Sequence, residues 1–305
     1  MPDLSGRTEK RKVFAAAMKC VLCPRMCGAD RGETEGKGYC GMGLLPVVAR
    51  IAPHMWEEPC ISGTRGSGTV FFSGCPLGCV YCQNHMISHG RRGKTVTIQE
   101  LAEHIKVLEK TGVHNISFVT GTHFVPSILD ALILYMPRVP LVWNSGGYER
   151  TETLKLLKGA IGIYLPDLKH VSPRLGKVLC SAADYFEKAS QAVLEMIDQT
   201  GSPVYSEEGI MLTGTVIRHL VLPGCTGDSI RVLDWIHQNT PPETPVSIMR
   251  QYTPVQQCHV KGLERKITDD EYDRVTEYAM QLGLNAFVQG KDSAAEAYIP
   301  DFDMA

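Results

Sequence analysis

The chain has 305 residues, 44 % of them hydrophobic, enough for one large domain or two small ones with a filled core. Its 31 basic and 33 acidic residues nearly cancel, so no long-range field favours nucleic acid or an anionic membrane surface. The most apolar region, 124–143, is broken by Asp130, Arg138 and three prolines, and residues 1–12 lack the apolar segment of a signal peptide; a soluble, cytoplasmic protein is expected.

Eleven cysteines are unevenly placed, eight of them within the first 82 residues. In a reducing compartment clustered thiols point to metal ligands or catalysts rather than disulfides. The first group, Cys20, Cys23, Cys27 and Cys40, puts four thiols into 21 residues. So short a segment cannot order itself by apolar burial, whereas a structural zinc ion brings an apparent ~10–16 kcal/mol in finger peptides. A zinc ion on four thiolates and an auxiliary iron–sulfur cluster both suit the spacing. A zinc-ribbon contact to nucleic acid is a weaker option, resting on a mild basic bias over residues 1–31. The stretch 41–68 reads as a connector, giving a cysteine-rich extension and linker over 1–66 and a second unit over 67–305.

The second unit alternates strand-like and helix-like segments. A strand at 68–72 leads into a loop; a helix over 97–112 carries a capping box at Thr97 and Glu100 and a C-cap at Gly112. There follow a strand at 115–119, a helix at 124–136, a strand at 140–144, a helix at 151–158 and a strand at 161–166. A helix at 182–199, a strand at 214–223, a helix at 228–238, a strand at 245–252 and a helix at 268–283, with its own capping box at Thr268 and Glu271, complete the series. Six such units imply an α/β fold of parallel strands covered by helices, either a doubly wound sheet or a partial (β/α)6 barrel, since a closed barrel takes eight.

The loop after the first of these strands, "FFSGCPLGCVYCQNH" (71–85), holds Cys75, Cys79 and Cys82. Gly74 and Gly78 keep side chains out of the space the three thiolates face and permit backbone angles that other residues avoid. Three thiolates on a four-iron cluster leave one iron open to a reactive ligand. The alternative is a structural zinc site completed by His85 or Cys60.

The spacing Cys75-x3-Cys79-x2-Cys82, with Tyr81 before the last cysteine, resembles the signature of radical S-adenosylmethionine enzymes. That family is associated with a six-unit partial (β/α) barrel. "PDLKH" (166–170) and "IRHLVLPGCTGD" (217–228) resemble strand ends of the group around pyruvate formate-lyase activating enzyme, and "CVLCPRMCGADRGETEGKGYCG" (20–41) resembles the head of a related branch. The resemblance implies a 4Fe-4S cluster and S-adenosyl-L-methionine. It implies reductive cleavage to a 5′-deoxyadenosyl radical, hydrogen abstraction from a glycine of a glycyl radical enzyme, and a flavodoxin- or ferredoxin-like electron donor. A peptide side chain or small metabolite is the alternative substrate, and a non-catalytic iron–sulfur or zinc protein the alternative class.

Asp167 and Lys169 are two apart at a strand end and so share a face. By resemblance both contact S-adenosylmethionine, their charges matching its amino and carboxylate groups. Thr120-Gly121-Thr122-His123 stands where many family members carry Gly-Gly-Glu-Pro. Only Gly121 matches, leaving backbone carbonyls or the Thr122 hydroxyl to accept from the amino group, and His123 for substrate or structure. Asn144 and Arg218 are further cavity candidates. The family's histidine after the sixth strand has no counterpart beyond Gln251 and Tyr252. Cys180, Cys225 and Cys258 are expected to be ordinary packing residues.

Overall fold

The computed structural model describes residues 19–255, 258–290 and 302. Regular structure begins earlier than expected. Strand β1 (Val47–His54), inside the presumed connector, runs antiparallel along β2 (Ser67–Phe72), with Val48 opposite Phe72 and His54 opposite Ser67. The expected boundary at residue 66 therefore falls within a sheet. A single-turn helix, α1 (Pro59–Ser62), joins the two strands. A second such turn, α2 (His85–Ser88), and the two-residue strand β3 (Lys94–Thr95), paired to β1, follow the cysteine loop.

From there the alternation runs largely as the periodicity indicates. Helix α3 (Ile98–Lys110) buries Leu101, Ala102, Ile105 and Leu108, and its capping box is formed: Thr97 N–H donates to Glu100 Oε2 at 2.7 Å and Glu100 N–H to Thr97 Oγ1 at 3.1 Å. Next come β4 (Asn115–Val119), α4 (Val125–Leu134), β5 (Leu141–Ser145), α5 (Thr151–Leu157) and β6 (Ile163–Pro166). Two helices follow, α6 (Pro173–Cys180) and α7 (Tyr185–Thr200). The first was not foreseen, although Ser172 caps it by accepting from Leu175 N–H and Pro173 opens it. The chain continues through β7 (Val204–Tyr205), β8 (Met211–Thr215), β9 (Ile217–Leu220), α8 (Thr226–Asn239), β10 (Val246–Met249), α9 (Asp269–Gln281) and β11 (Ala286–Val288).

The strands lie in the orders β3-β1-β2-β4-β5-β6-β8-β7 and β11-β10-β9. Every neighbour pair from β2 to β8, and both pairs of the smaller sheet, are parallel. The strand expected over 214–223 divides at Val216. Its first part pairs with β6, its second with β10, and Val216 N–H still reaches Tyr164 O at 2.9 Å while Ile217 N–H donates to Pro245 O at 3.0 Å. An isolated bridge between Asp167 and Arg218 joins the two sheets. The result is the partial barrel of parallel strands expected from the sequence, and the seam between its sheets puts Asp167 beside Arg218. Among the described residues no helix is long and apolar enough to cross a membrane.

The cysteine-rich head is fastened onto the cysteine loop. Arg25 donates to Pro76 O at 2.8 Å, Leu77 O at 2.9 Å and Ser181 O at 2.6 Å, and its guanidinium lies 4.1 Å from the Tyr39 ring centre. Tyr39 Oη donates to Leu77 O at 2.9 Å, and Arg150 and Thr153 reach the carbonyls of Val21 and Leu22. A lysine could neither fork nor stack this way. Arg25→Ala is expected to lower unfolding free energy by about 2 kcal/mol and to accelerate limited proteolysis within residues 19–45. An unchanged cleavage rate there would show that the arginine does not clamp the head.

Candidate active site

Strand β2 is buried along its whole length and leads into the cysteine loop, whose Cys79 and Cys82, but not Cys75, line a cavity of about 520 Å³. Gly78 has φ +79° and faces the Tyr39 hydroxyl, which a Cβ would meet at 2.5 Å, so the loop admits no side chain there. Each cysteine sulfur has a polar neighbour: Leu77 N–H donates to Cys75 Sγ at 3.4 Å, Ser88 Oγ to Cys82 Sγ at 3.4 Å, and Cys180 Sγ lies 3.5 Å from Cys79 Sγ. The expectation of ordinary packing for Cys180 is thus corrected. It is fully buried, as packing requires, but its sulfur lies against a loop cysteine. Burial, followed by the nearby Cys79, pushes the Cys75 thiol up to about 12, so binding to a cation is what would hold it as thiolate.

Cys79 and Cys82 line the cavity together with Asn144, Asp167, Lys169 and Arg218, four residues expected there, and Glu57, which was not. Arg218 is the hub. Its Nε donates to Asp167 Oδ1 at 2.9 Å, Nη2 to Asn144 Oδ1 at 2.7 Å and Nη1 to Glu57 Oε2 at 3.3 Å. Asn144 Nδ2 closes the ring on Glu57 Oε1 at 3.1 Å, and Lys169 Nζ lies 2.5 Å from Asp167 Oδ2. Burial pushes Asp167 up, but Arg218 and Lys169 outweigh it and hold the carboxyl below its ordinary value. Glu57 goes the other way: burial raises it and Arg218 only partly compensates. Tyr185 aligns the strand ends, its hydroxyl accepting from Lys169 N–H at 3.0 Å and donating to Asp167 O at 2.7 Å. Gly147, with φ +78°, lets β5 approach so closely that a Cβ would meet Asp167 O at 2.1 Å.

Other candidates lie elsewhere. Gly121 and Thr122 do not line the cavity. A Cβ on Gly121 would meet Ile128 and Trp143 at 2.8 Å, and the Thr122 hydroxyl donates to Glu149 Oε1 at 2.6 Å. Thr122 is buried on the helix side, which corrects its expected role towards an amino group. His123 is structural: its Nε2 donates to Ser73 O at 2.8 Å, and burial holds the ring near 3, uncharged. Gln251 lines the cavity while Tyr252 is buried outside it. Cys60 packs with Ile61, Val142, Ile163 and Leu165 and completes neither cysteine group.

Glu149 is a further buried acid that sequence reasoning missed. Trp143 Nε1 also donates to it at 3.4 Å, and burial pushes its carboxyl up to about 7. A carboxyl whose folded value lies above its unfolded one stabilises when protonated, and that stability is lost as pH rises through about 7. Glu149→Gln is expected to leave stability at pH 5 nearly unchanged and to raise it at pH 8 by up to about 3 kcal/mol. Urea unfolding at the two pH values checks this; equal effects at both would contradict it.

In the head, Cys23 is buried, and its thiol is pushed up to about 12 by burial first and, after it, by Cys20, Cys40 and Cys27. Among the described residues, no three or more His, Cys, Asp or Glu side chains stand together as donors for a single metal ion.

The chain has relatives in sequence and in fold. It is 30 % identical over 279 residues to uncharacterized protein MJ0674 of Methanocaldococcus jannaschii, covering 87 % of this chain and 75 % of that one. Its fold is similar to that of Streptococcus suis SuiB, solved bound to precursor peptide SuiA, with a TM-score of 0.50 at 14 % identity over 72 % of this chain; the match spans 47 % of SuiB, about half its length. A radical SAM methyltransferase from Sphaerobacter thermophilus gives a TM-score of 0.52 at 13 % identity, over 75 % of this chain and 69 % of that one. The family model of the Radical SAM superfamily matches residues 69–236, from β2 through the cysteine loop and the Asp167–Lys169–Arg218 network into α8. The chain belongs to the Radical SAM superfamily.

Proposed function

We propose that the chain holds a 4Fe-4S cluster on Cys75, Cys79 and Cys82, binds S-adenosylmethionine beside it, and uses reductive cleavage of that cofactor to abstract hydrogen from a polypeptide substrate. The observation that carries this reading is the convergence of Cys79 and Cys82 with Asp167, Lys169, Arg218, Asn144 and Glu57 on one cavity. Three thiols from one loop fit a four-iron cluster with an open site. When bound, cluster and cofactor together supply one-electron cleavage of a sulfonium bond and a carbon radical. Asp167, held ionised by two cations, offers a carboxylate to an ammonium group. Lys169 and Arg218 offer positive charge to a carboxylate, and Asn144 and Glu57 fix the guanidinium plane. Phe71, Tyr81, Val119, Leu220 and Met249 give the cavity apolar wall that limits water.

The first substrate reading is a backbone glycine of a glycyl radical enzyme, supported by the strand-end motifs at 166–170 and 217–228. The second is a peptide side chain, favoured by the fold likeness to SuiB with its precursor peptide. In either case a chain segment meets the cavity mouth beside Met55 and Trp56, which are 43 % and 58 % exposed. A flavodoxin- or ferredoxin-like protein supplies the electron, and the head thiols hold zinc or a second cluster.

The test is anaerobic. Purified protein should be brown and contain iron and sulfide, and dithionite with S-adenosylmethionine should release methionine and 5′-deoxyadenosine in equal amounts. A colourless protein that contains only zinc and cleaves nothing would overturn the reading. A glycyl radical signal on a partner enzyme supports the first substrate, and a mass change on a peptide the second.

A further inference from the structure

We propose that Cys180 is a positioning residue that raises the reduction potential of the cluster by donating its S–H to the Cys79 sulfur. The inference rests on the cluster assignment above. Of three contacts to the loop sulfurs, those of Leu77 N–H and Ser88 Oγ–H come from within six residues of their cysteines, whereas that of the Cys180 sulfur comes from 101 residues away from Cys79. Only the third is a product of the tertiary fold.

The junction that brings it there is built from several sides. Cys180 ends helix α6, and the carbonyl before it, Leu179 O, accepts Val80 N–H at 2.9 Å. Ser181 then turns the chain away at φ +55°, a left-handed conformation that a residue with a side chain rarely adopts, and its carbonyl accepts from Arg25. Arg25 also holds Pro76 O and Leu77 O, so one guanidinium ties the end of α6 to the cysteine loop. Behind the sulfur, Tyr81 Oη lies 3.7 Å away. Tyr81 Oη is itself 3.4 Å from His170 Nε2, whose Nδ1 is 3.4 Å from Asp228 Oδ2. Cys180 is thus buried at the end of a polar row and faces Cys79.

The direction of the hydrogen bond follows from the chemistry. A cysteine bound to iron is a thiolate and has no proton to give, so between these two sulfurs only Cys180 can donate. A donor on a ligand sulfur draws negative charge off the cluster and favours the form carrying the extra electron, which raises the potential. Both sulfurs are buried, which keeps water from screening the effect.

The experiment is an EPR-monitored redox titration of the cluster-loaded protein. Cys180→Ala removes the donor, Cys180→Val removes it while keeping volume in the core, and Cys180→Ser keeps a donor. The alanine and valine variants are expected to fall about tenfold in the ratio of reduced to oxidised cluster at the wild-type midpoint, equal to 59 mV for one electron. The serine variant should move less than half as far. The proposal is overturned if valine leaves the potential unmoved, if serine shifts it as much as valine, or if the donor-free variants lose the cluster, which would make Cys180 a ligand. A wild-type protein that takes up no iron sinks the cluster assignment itself; a normal cluster with an unmoved potential sinks this proposal alone.

Discussion

Cys82→Ala is expected to lower iron and sulfide uptake at the loop and to cut 5′-deoxyadenosine release by more than about 100-fold, beyond the 10–100-fold typical of changes outside the direct ligands. Cys82 lines the cavity, and its sulfur is approached by the Ser88 hydroxyl. Removing it leaves two loop thiolates, too few to hold a cluster against loss of iron. Cys79→Ala is a less clean test, because Cys180 lies 3.5 Å from the Cys79 sulfur and is a ready replacement ligand. Cys60→Ala is the control. Cys60 sits in an apolar cluster away from the loop, and its loss should leave cleavage unchanged. Iron analysis and chromatography of the nucleoside product decide the matter; full turnover by Cys82→Ala would remove the cluster from the loop.

The parts of this site that local chemistry determines could be found in the sequence. The three cysteines act through a spacing of a few residues, and Asp167 and Lys169 share a face because strand side chains alternate. The capping boxes at Thr97 and Thr268 are likewise local and formed as expected. What escaped depends on contacts between distant segments. "VVARIAPH" has a short apolar run with no strict alternation, and it becomes β1 only because β2 offers it an edge. Glu57 follows β1 in a stretch with no motif and enters the network only when β1 and α1 carry it across the barrel mouth to Arg218. The missing acid after the second parallel strand misled in another way. Glu149, from beyond the third, takes up the Thr122 hydroxyl and turns it from the cavity. Arg218 was visible as a strand residue, but its role as hub depends on the change of partner at Val216, which no periodicity announces.

That hub is the most sensitive point of the network. Arg218→Met is expected to cost about 3–5 kcal/mol, the range for removing one partner of a buried ion pair. The side chains of Arg218, Asp167 and Glu57 are only 13 %, 15 % and 9 % exposed, so water cannot replace the guanidinium. Asp167 keeps Lys169, but Glu57 keeps only Asn144. Arg218→Lys restores the charge, yet an ammonium lacks the planar fork that serves Asp167, Asn144 and Glu57 together, so both variants should cleave S-adenosylmethionine poorly. The pH dependence separates lost charge from lost packing. In the native network burial already raises Glu57 and Arg218 opposes it; without the arginine the carboxyl rises further. A carboxyl raised on folding is stabilising while protonated and loses that contribution as pH increases through its folded value. The deficit of Arg218→Met should therefore be greater at pH 8 than at pH 5 in urea titrations, whereas a deficit equal at both would mean that Arg218 contributes only its bulk.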